Sequence, residues 1–198
     1  MSTITTDLVA QIHACTLCQD FLPLVPKPVF QLQPQAGILI AGQAPGIKAH
    51  QSGKPFDDAS GRRLRDWMGI SETTFYDPSR VAILPMGFCY PGKGRSGDLP
   101  PRPECAQTWR QQALSILTEI HLILVIGRYA LDWHIPDHHG SLADIVYRGI
   151  NEEQKLFPLP HPSPRNNRWL KQHPWFEQQL LPKLRQRVSN ALDPPDDL

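Results

Sequence analysis

The 198-residue sequence contains no apolar run long enough to cross a membrane, and no apolar leader follows Met1. We therefore expect a soluble, cytoplasmic protein, in which disulfides are rare. Its formal net charge is only +1, which argues against a surface that grips nucleic acid everywhere. The charge is nevertheless uneven, because residues 155–190 hold seven Lys or Arg and one acid, Glu177. We expect one basic face in that part of the molecule.

Cysteine is also scarce, and the spacing of the four that are present is informative. Cys15 and Cys18 form a C-x-x-C pair near the start, whereas Cys89 and Cys105 follow in the middle of the chain. Two close and two distant thiols are typical of ligands that gather around one iron-sulfur cluster. Zinc is an alternative, because four thiolates also suit a tetrahedral zinc ion. Inert buried thiols are a second alternative.

No internal repeat is visible, and the pattern of short apolar runs predicts a single α/β domain over residues 1–189. Runs at 37–42, 81–84, 121–126 and 155–157 predict four buried parallel strands. Helical spacing is present at 6–14, 60–68, 107–119, 128–133 and 175–187. These elements favour a three-layer sandwich, with helices on both faces of the sheet. The Pro-rich residues 21–35 predict an extended connection, and residues 190–198 predict a disordered tail.

Two loops follow predicted strands and hold the residues best suited to chemistry. In an open parallel sheet, ligands bind beyond the carboxyl ends of the strands. Residues 42–56 leave the first strand, and residues 161–166 (His-Pro-Ser-Pro-Arg-Asn) leave the last. The first loop lacks the G-x-G-x-x-G spacing of a dinucleotide site.

Both loops resemble motifs of the uracil-DNA glycosylase superfamily, most closely its iron-sulfur branch, family 4. Residues 42–46 (Gly-Gln-Ala-Pro-Gly) and 53–61 (Gly-Lys-Pro-Phe-Asp-Asp-Ala-Ser-Gly) are similar to the family's G-E-A-P-G and G-x-P-F-x-G-x-x-G. The spacing of the four cysteines is similar too. The second motif, H-P-S, stands at 161–163, and its longer form H-P-S-P-R-N is similar to that of the single-strand-selective uracil glycosylases.

The resemblance implies a DNA repair enzyme of the base excision pathway, a hydrolase that flips uracil or another deaminated base out of DNA and cleaves its N-glycosidic bond. It implies a uracil-DNA glycosylase-like fold and a monomer that works on DNA near the nucleoid. The implied catalytic residues are His161, Gln43 and Asp58. The implied base-binding residues are Gly42, Ala44, Pro45, Gly46, Phe56 and Ser163, and the implied DNA-binding residues are Arg165, Asn166, Arg168 and Lys171. Cys15, Cys18, Cys89 and Cys105 are the implied ligands of a 4Fe-4S cluster.

Several positions depart from the family pattern. Gln43 replaces the glutamate of G-E-A-P-G, and Pro85 stands where the family commonly has an asparagine that reads the uracil edge. Proline offers no side-chain donor, so base recognition must differ or use backbone groups. Asp57 and Asp58 are the nearest acids that could balance positive charge on the sugar. These losses leave an alternative function open, a non-catalytic protein of the same fold that binds a modified base or nucleic acid.

Overall fold

The computed structural model describes residues 3–148 and 155–194. Its centre is a parallel sheet of four strands: β1 (Ile38–Ala41), β2 (Val81–Ile83), β3 (Leu122–Ile126) and β4 (Leu156–Leu159). The strand order is β2-β1-β3-β4. Ile38 pairs with Val81 on one side and with Leu122 on the other. The predicted parallel sheet is therefore confirmed, and its strands are apolar runs because both faces are covered.

Ten α-helices surround this sheet in the described part of the chain. They are α1 (Thr3–His13), α2 (Ile47–Ser52), α3 (Ala59–Met68), α4 (Glu72–Phe75), α5 (Pro103–Cys105), α6 (Gln111–Ile116), α7 (Arg128–His134), α8 (Leu142–Arg148), α9 (Asn167–Gln172) and α10 (Leu181–Leu192). Short 3-10 turns lie at Gln19–Phe21 and Pro164–Asn166, and π turns at Ala106–Arg110 and Phe176–Leu180. Helices α2, α4, α5, α8 and α9 were not predicted from the sequence, since each spans only three to seven residues and shows little periodic pattern.

Alternate residues of β1 face two separate cores, as a pleated strand requires. Ile38 and Ile40 belong to a core that includes Leu64 of α3 and Leu184 of α10. On the opposite face, Leu39 packs in a second core with residues of α1 and α6. The sheet is thus covered by helices on both faces, which is the three-layer sandwich that the sequence predicts.

The carboxyl-terminal part differs from its prediction. Helix α10 continues through Leu192, so residues 190–192 are helical rather than part of a disordered tail. The rest of the predicted tail, residues 195–198, lies outside the described residues. Within the described ranges, no helix combines the length and the apolarity that a membrane crossing requires.

The turn into α3 is unusually tight. Asp58 caps the helix, because its Oδ1 accepts a hydrogen bond from the Gly61 amide at 2.9 Å. Phe56, just before the cap, has a positive φ of 55°, a conformation that few non-glycine residues adopt. A Cβ added to Gly61 would lie 1.8 Å from the Phe56 carbonyl oxygen. Glycine at 61 therefore fixes how closely the Phe56 turn packs on the helix.

We predict that Gly61→Ala destabilises the protein by roughly 3 kcal/mol, since the added methyl group would force the Phe56 turn away from α3. Urea denaturation measures this loss. Arg62→Ala, an exposed change on the same helix, is the control and is expected to leave the midpoint nearly unchanged. A Gly61→Ala variant as stable as the wild type would show that this contact does not constrain the turn.

Candidate active site

A cleft of roughly 520 Å³ opens at the carboxyl ends of the strands. Loops that follow β1, β2 and β4 contribute to it, as the topology of a parallel sheet requires. Of the residues expected from the sequence to act at the site, it is lined by Gly42, Gln43, Ala44, Pro45, Gly46, Phe56, Asp58, His161, Ser163, Arg165 and Asn166. Two sequence motifs about 100 residues apart thus form one surface. Arg168 and Lys171 do not line the cleft and are exposed on α9.

The ring of His161 is held in one tautomer. Its Nδ1 accepts a hydrogen bond from the Ser163 amide at 3.1 Å, so the proton of the neutral ring is on Nε2. Burial lowers the pKa of His161, although the negative charges of Asp58 and Asp98 oppose this effect. Asn166 fixes the same loop by donating to the His161 carbonyl oxygen at 2.7 Å. His161 is thereby a neutral donor at neutral pH.

Arg63 of α3 binds the loop that contains His161, a role that the sequence did not reveal. Its guanidinium donates to the Ser163 carbonyl oxygen at 3.1 Å and to Oδ1 of Asn167 at 2.8 Å. Phe56 lies three residues before the first residue of the same helix, with its ring edge-on to Phe75 at 6.2 Å between centroids. Helix α3 therefore connects the histidine loop and the aromatic ring.

A third loop, residues 92–99, closes one side of the cleft and is called the Asp98 loop below. Gln43 donates from Nε2 to the Leu99 carbonyl oxygen at 3.0 Å. Arg165 donates from Nη1 to the Ser96 carbonyl oxygen at 2.7 Å. Each of the two sequence motifs thus binds one part of this loop through a side-chain donor: the first motif through Gln43 and the second through Arg165.

The acids around the cleft are not distributed as the sequence suggested. Asp58 lines the cleft, but one of its oxygens caps α3, and Asp57 is not among the lining residues. Asp98, which the sequence analysis missed, also lines the cleft. The only sequence signal for Asp98 was its place between two cysteines in a Gly-rich loop. Pro85 lines the cleft as well, and its position offers no side-chain donor to a base.

The four cysteines lie together in a second, smaller pocket, called the cysteine pocket below. Its walls include Ile12, Pro28 and Trp109, so the amino terminus and the middle of the chain meet there. Burial raises the pKa of Cys89 to about 11 and that of Cys105 to about 12. As free thiols these groups are therefore protonated at neutral pH, and a metal that binds them must displace their protons.

Two sulfurs in the cysteine pocket accept a hydrogen bond from an N–H donor. Trp109 donates from Nε1 to Cys15 at 3.2 Å, and the Phe88 amide donates to Cys105 at 3.3 Å. Burial raises the pKa of Cys18 and of Cys89, while the Arg102 side chain acts to lower the pKa of Cys18 and the Lys27 backbone acts to lower that of Cys89. Donors of this kind stabilise the thiolates that hold iron-sulfur clusters.

In the described part of the chain, no group of three or more His, Cys, Asp or Glu side chains has the arrangement that could hold a metal ion. This finding supports neither zinc, whose four ligands must all approach one ion to about 2.3 Å, nor an iron-sulfur cluster. A four-iron cluster spreads its four sulfur ligands over four metal atoms. The chemistry of the donor set fits such a cluster, while the structure itself assigns no metal.

Arg110 is buried between the cysteine pocket and the cleft, with 1% of its surface exposed. Its Nη1 donates to the carbonyl oxygens of Leu84 at 3.0 Å and Pro85 at 3.3 Å, and its Nη2 contacts His134 Nε2 at 2.5 Å. No carboxylate among the described residues forms an ion pair with it. Burial lowers the pKa of Arg110 to about 10, and the charge of Cys105 opposes that effect.

A parallel four-stranded sheet, with a histidine and an aromatic ring lining one cleft beyond its carboxyl ends, defines an α/β protein whose cleft lies where ligands bind in open parallel sheets. The family model of the uracil DNA glycosylase superfamily matches residues 29–185, and the chain belongs to this superfamily. The matched range contains both loops, Cys89 and Cys105, whereas Cys15 and Cys18 precede it. Membership indicates glycosylase-type chemistry on a DNA substrate.

The contact between Arg110 and His134 predicts a pH dependence of stability. Burial, and then the charge of Arg110, lower the pKa of His134 from 6.5 to about 4. Between these values the unfolded chain binds a proton that the folded chain does not, so stability falls as the pH decreases from about 6.5 to about 4. Above about pH 6.5, the contribution of neutral His134 to the free energy of unfolding is complete.

We therefore expect His134→Gln to lose less stability than the wild type when the pH is lowered from 7 to 5, because glutamine accepts from Arg110 without titrating. Urea midpoints at both pH values measure this difference. His139→Gln, an exposed change, is the control and should behave as the wild type does. Equal acid sensitivity in His134→Gln and the wild type would contradict the assignment.

Proposed function

We propose that the protein is a monomeric DNA repair glycosylase that removes uracil or another deaminated base from DNA. The observation that carries the proposal is the fixed tautomer of His161, whose Nδ1 is engaged by the Ser163 amide, so that Nε2–H remains as a donor in the cleft. A neutral donor of this kind suits a base that acquires negative charge as it leaves. The superfamily match over residues 29–185 supports the same chemistry.

The reaction follows from these groups. A flipped base enters the cleft and stacks on Phe56. The Phe56 ring lies beside Gly42 of the first motif, where an added Cβ would be in ordinary van der Waals contact with the ring at 3.5 Å. As the N-glycosidic bond breaks, its electron pair moves onto the base. His161 donates from Nε2 to the carbonyl oxygen on which the charge develops, and water supplies the hydroxyl group that the sugar gains. Because His161 is neutral beforehand, the donor carries no charge to desolvate.

DNA would approach over the loop of His161 and helix α9. Arg168 and Lys171 are exposed there and suit phosphate contacts, which add affinity without reading sequence. Arg165 is exposed as well, and its guanidinium donates to the Ser96 carbonyl oxygen of the Asp98 loop. Its contribution to DNA binding would therefore include holding that loop in place.

A second candidate is a protein that binds a modified base without cleaving the bond. Two observations favour it. The Pro85 side chain has no donor with which to read the edge of a base, and Nε2 of Gln43 already donates to the Leu99 carbonyl oxygen. Salt-sensitive binding to uracil-containing DNA without release of the base would support this candidate over the glycosylase.

We also propose that the cysteine pocket holds a 4Fe-4S cluster, with Cys15, Cys18, Cys89 and Cys105 as ligands and zinc as the alternative. Arg110 supports an anionic group at this position. A buried guanidinium without a carboxylate partner is costly, and deprotonated sulfurs beside it would supply the missing charge. When bound, the cluster would hold the amino terminus and the central loops together.

His161→Ala is expected to lower the rate of uracil release from an oligonucleotide by at least about 100-fold, because it removes the donor to the leaving base. Single-turnover assays with alkaline cleavage of the abasic product measure the rate. His139→Ala, an exposed histidine far along the chain, is the control. A His161→Ala variant with the wild-type rate would remove this residue from the mechanism.

Anaerobically purified protein is expected to be brown and to contain four irons and four sulfides, as a 4Fe-4S cluster requires. Cys89→Ser should lose most of this iron, and Arg110→Met should retain less than the wild type because the cluster would lose its counter-charge. Arg65→Met, a change of a largely buried arginine outside the cysteine pocket, is the matched control. Wild-type protein that is colourless, with zinc or no metal, would contradict the cluster.

A further inference from the structure

The Asp98 loop brings a carboxylate into the cleft next to both sequence motifs. A Cβ placed on Gly46 would lie 3.5 Å from Asp98 Oδ2, so Asp98 extends over the first motif. It is also close enough to His161 for its charge to raise the pKa of that ring. Asp98 therefore faces the space between the glycine-rich loop and the histidine.

The side chain of Asp98 has no structural task in the described part of the molecule. No hydrogen bond or ion pair engages its carboxylate there, whereas Asp58 caps α3. The loop itself is closed by backbone bonds, from the Leu99 amide to the Gly92 carbonyl oxygen at 2.8 Å and from the Gly94 amide to the Gly97 carbonyl oxygen. Gln43 and Arg165 hold it from outside through Leu99 and Ser96. A loop fixed in four ways thus presents one unengaged carboxylate to the cleft.

Hydrolysis of a glycosidic bond needs such a group, since the sugar becomes cationic and the attacking water must lose a proton. The first motif supplies none, because Gln43 has an amide and is already bonded to Leu99. Asp58 retains one oxygen that the cap does not use. Asp98 retains both, and its exposure in the free protein lets water reach it.

We propose that Asp98 is a catalytic residue, the general base for the water that attacks C1′ of the sugar. This proposal rests on the glycosylase function proposed above. The oxygen–C1′ bond forms as the C1′–N bond breaks, the electron pair of the broken bond goes to the base, and the water proton goes to the Asp98 carboxylate. His161 stabilises the leaving base and does not take that proton.

The test is single-turnover excision of uracil from an oligonucleotide by the full-length protein. Asp98→Asn keeps the size and removes the charge, and we expect its rate to fall by about 100-fold or more, as loss of a general base does. The dissociation constant for the same oligonucleotide should change by less than about threefold, because Asp98 repels phosphate rather than binding it. Asp66→Asn removes an exposed carboxylate from α3 and should keep the wild-type rate.

Chemical rescue separates catalysis from a structural role. Asp98→Ala is expected to regain part of its rate in formate but not in chloride at equal ionic strength, because formate can enter the cleft and accept the proton. Formate would not repair a structural defect.

Asp98→Asn with a rate within twofold of the wild type would overturn the assignment while leaving the glycosylase function intact. An Asp98→Ala variant that stays as slow in formate as in chloride would overturn it as well. Wild-type protein that releases no base would overturn the proposed function and this assignment together.

Discussion

The site depends on the parallel pairing of the four strands. Strand β1 pairs with β2 on one side and with β3 on the other, and β3 pairs with β4. Because all four strands run in one direction, the loops after β1, β2 and β4 leave the sheet at the same edge. This places Phe56, which follows β1, in the same cleft as His161, which follows β4. A one-residue slip of either pairing would turn alternate side chains away from their cores, so the register that buries Ile38 and Ile40 also fixes the cleft.

The same chain geometry connects the cleft with the cysteine pocket. Cys89 and Cys105 bracket the Asp98 loop, so whatever holds these two sulfurs also limits where Asp98 can lie. Arg110 also connects the two sites. Burial lowers the pKa of Arg110 and the charge of Cys105 opposes that effect, while the Pro85 carbonyl oxygen, which belongs to a residue of the cleft, accepts a hydrogen bond from Arg110. The π turn at Ala106–Arg110 belongs to this arrangement, because it carries both Trp109, which bonds Cys15, and Arg110. A cluster in the cysteine pocket would therefore affect catalysis by fixing the position of the Asp98 loop and would not itself take part in the reaction.

The sequence predicted the parallel sheet, the main helices and eleven residues of the cleft, because buried strands and glycine-rich loops have strong local signals. It did not predict Arg63, Arg110 or Asp98. Each of these residues acts on partners that are distant in the sequence. The separation is about 100 residues for Arg63, about 25 for Arg110 and more than 50 for Asp98, and no local sequence pattern indicates contacts over such separations. The place of Asp58 beside Phe56 suggested catalysis but did not reveal its second task, which is to cap α3. The short helices α2 and α9 escaped prediction because six residues make less than two turns.

On the mechanism proposed above, the cleft holds a nucleobase between the Phe56 ring and the His161 donor. A crystal structure of the protein soaked with free uracil tests this most directly. The account predicts uracil stacked on Phe56, with one carbonyl oxygen within about 3 Å of His161 Nε2. Uracil bound elsewhere, or bound in the cleft with His161 turned away from it, would contradict the account.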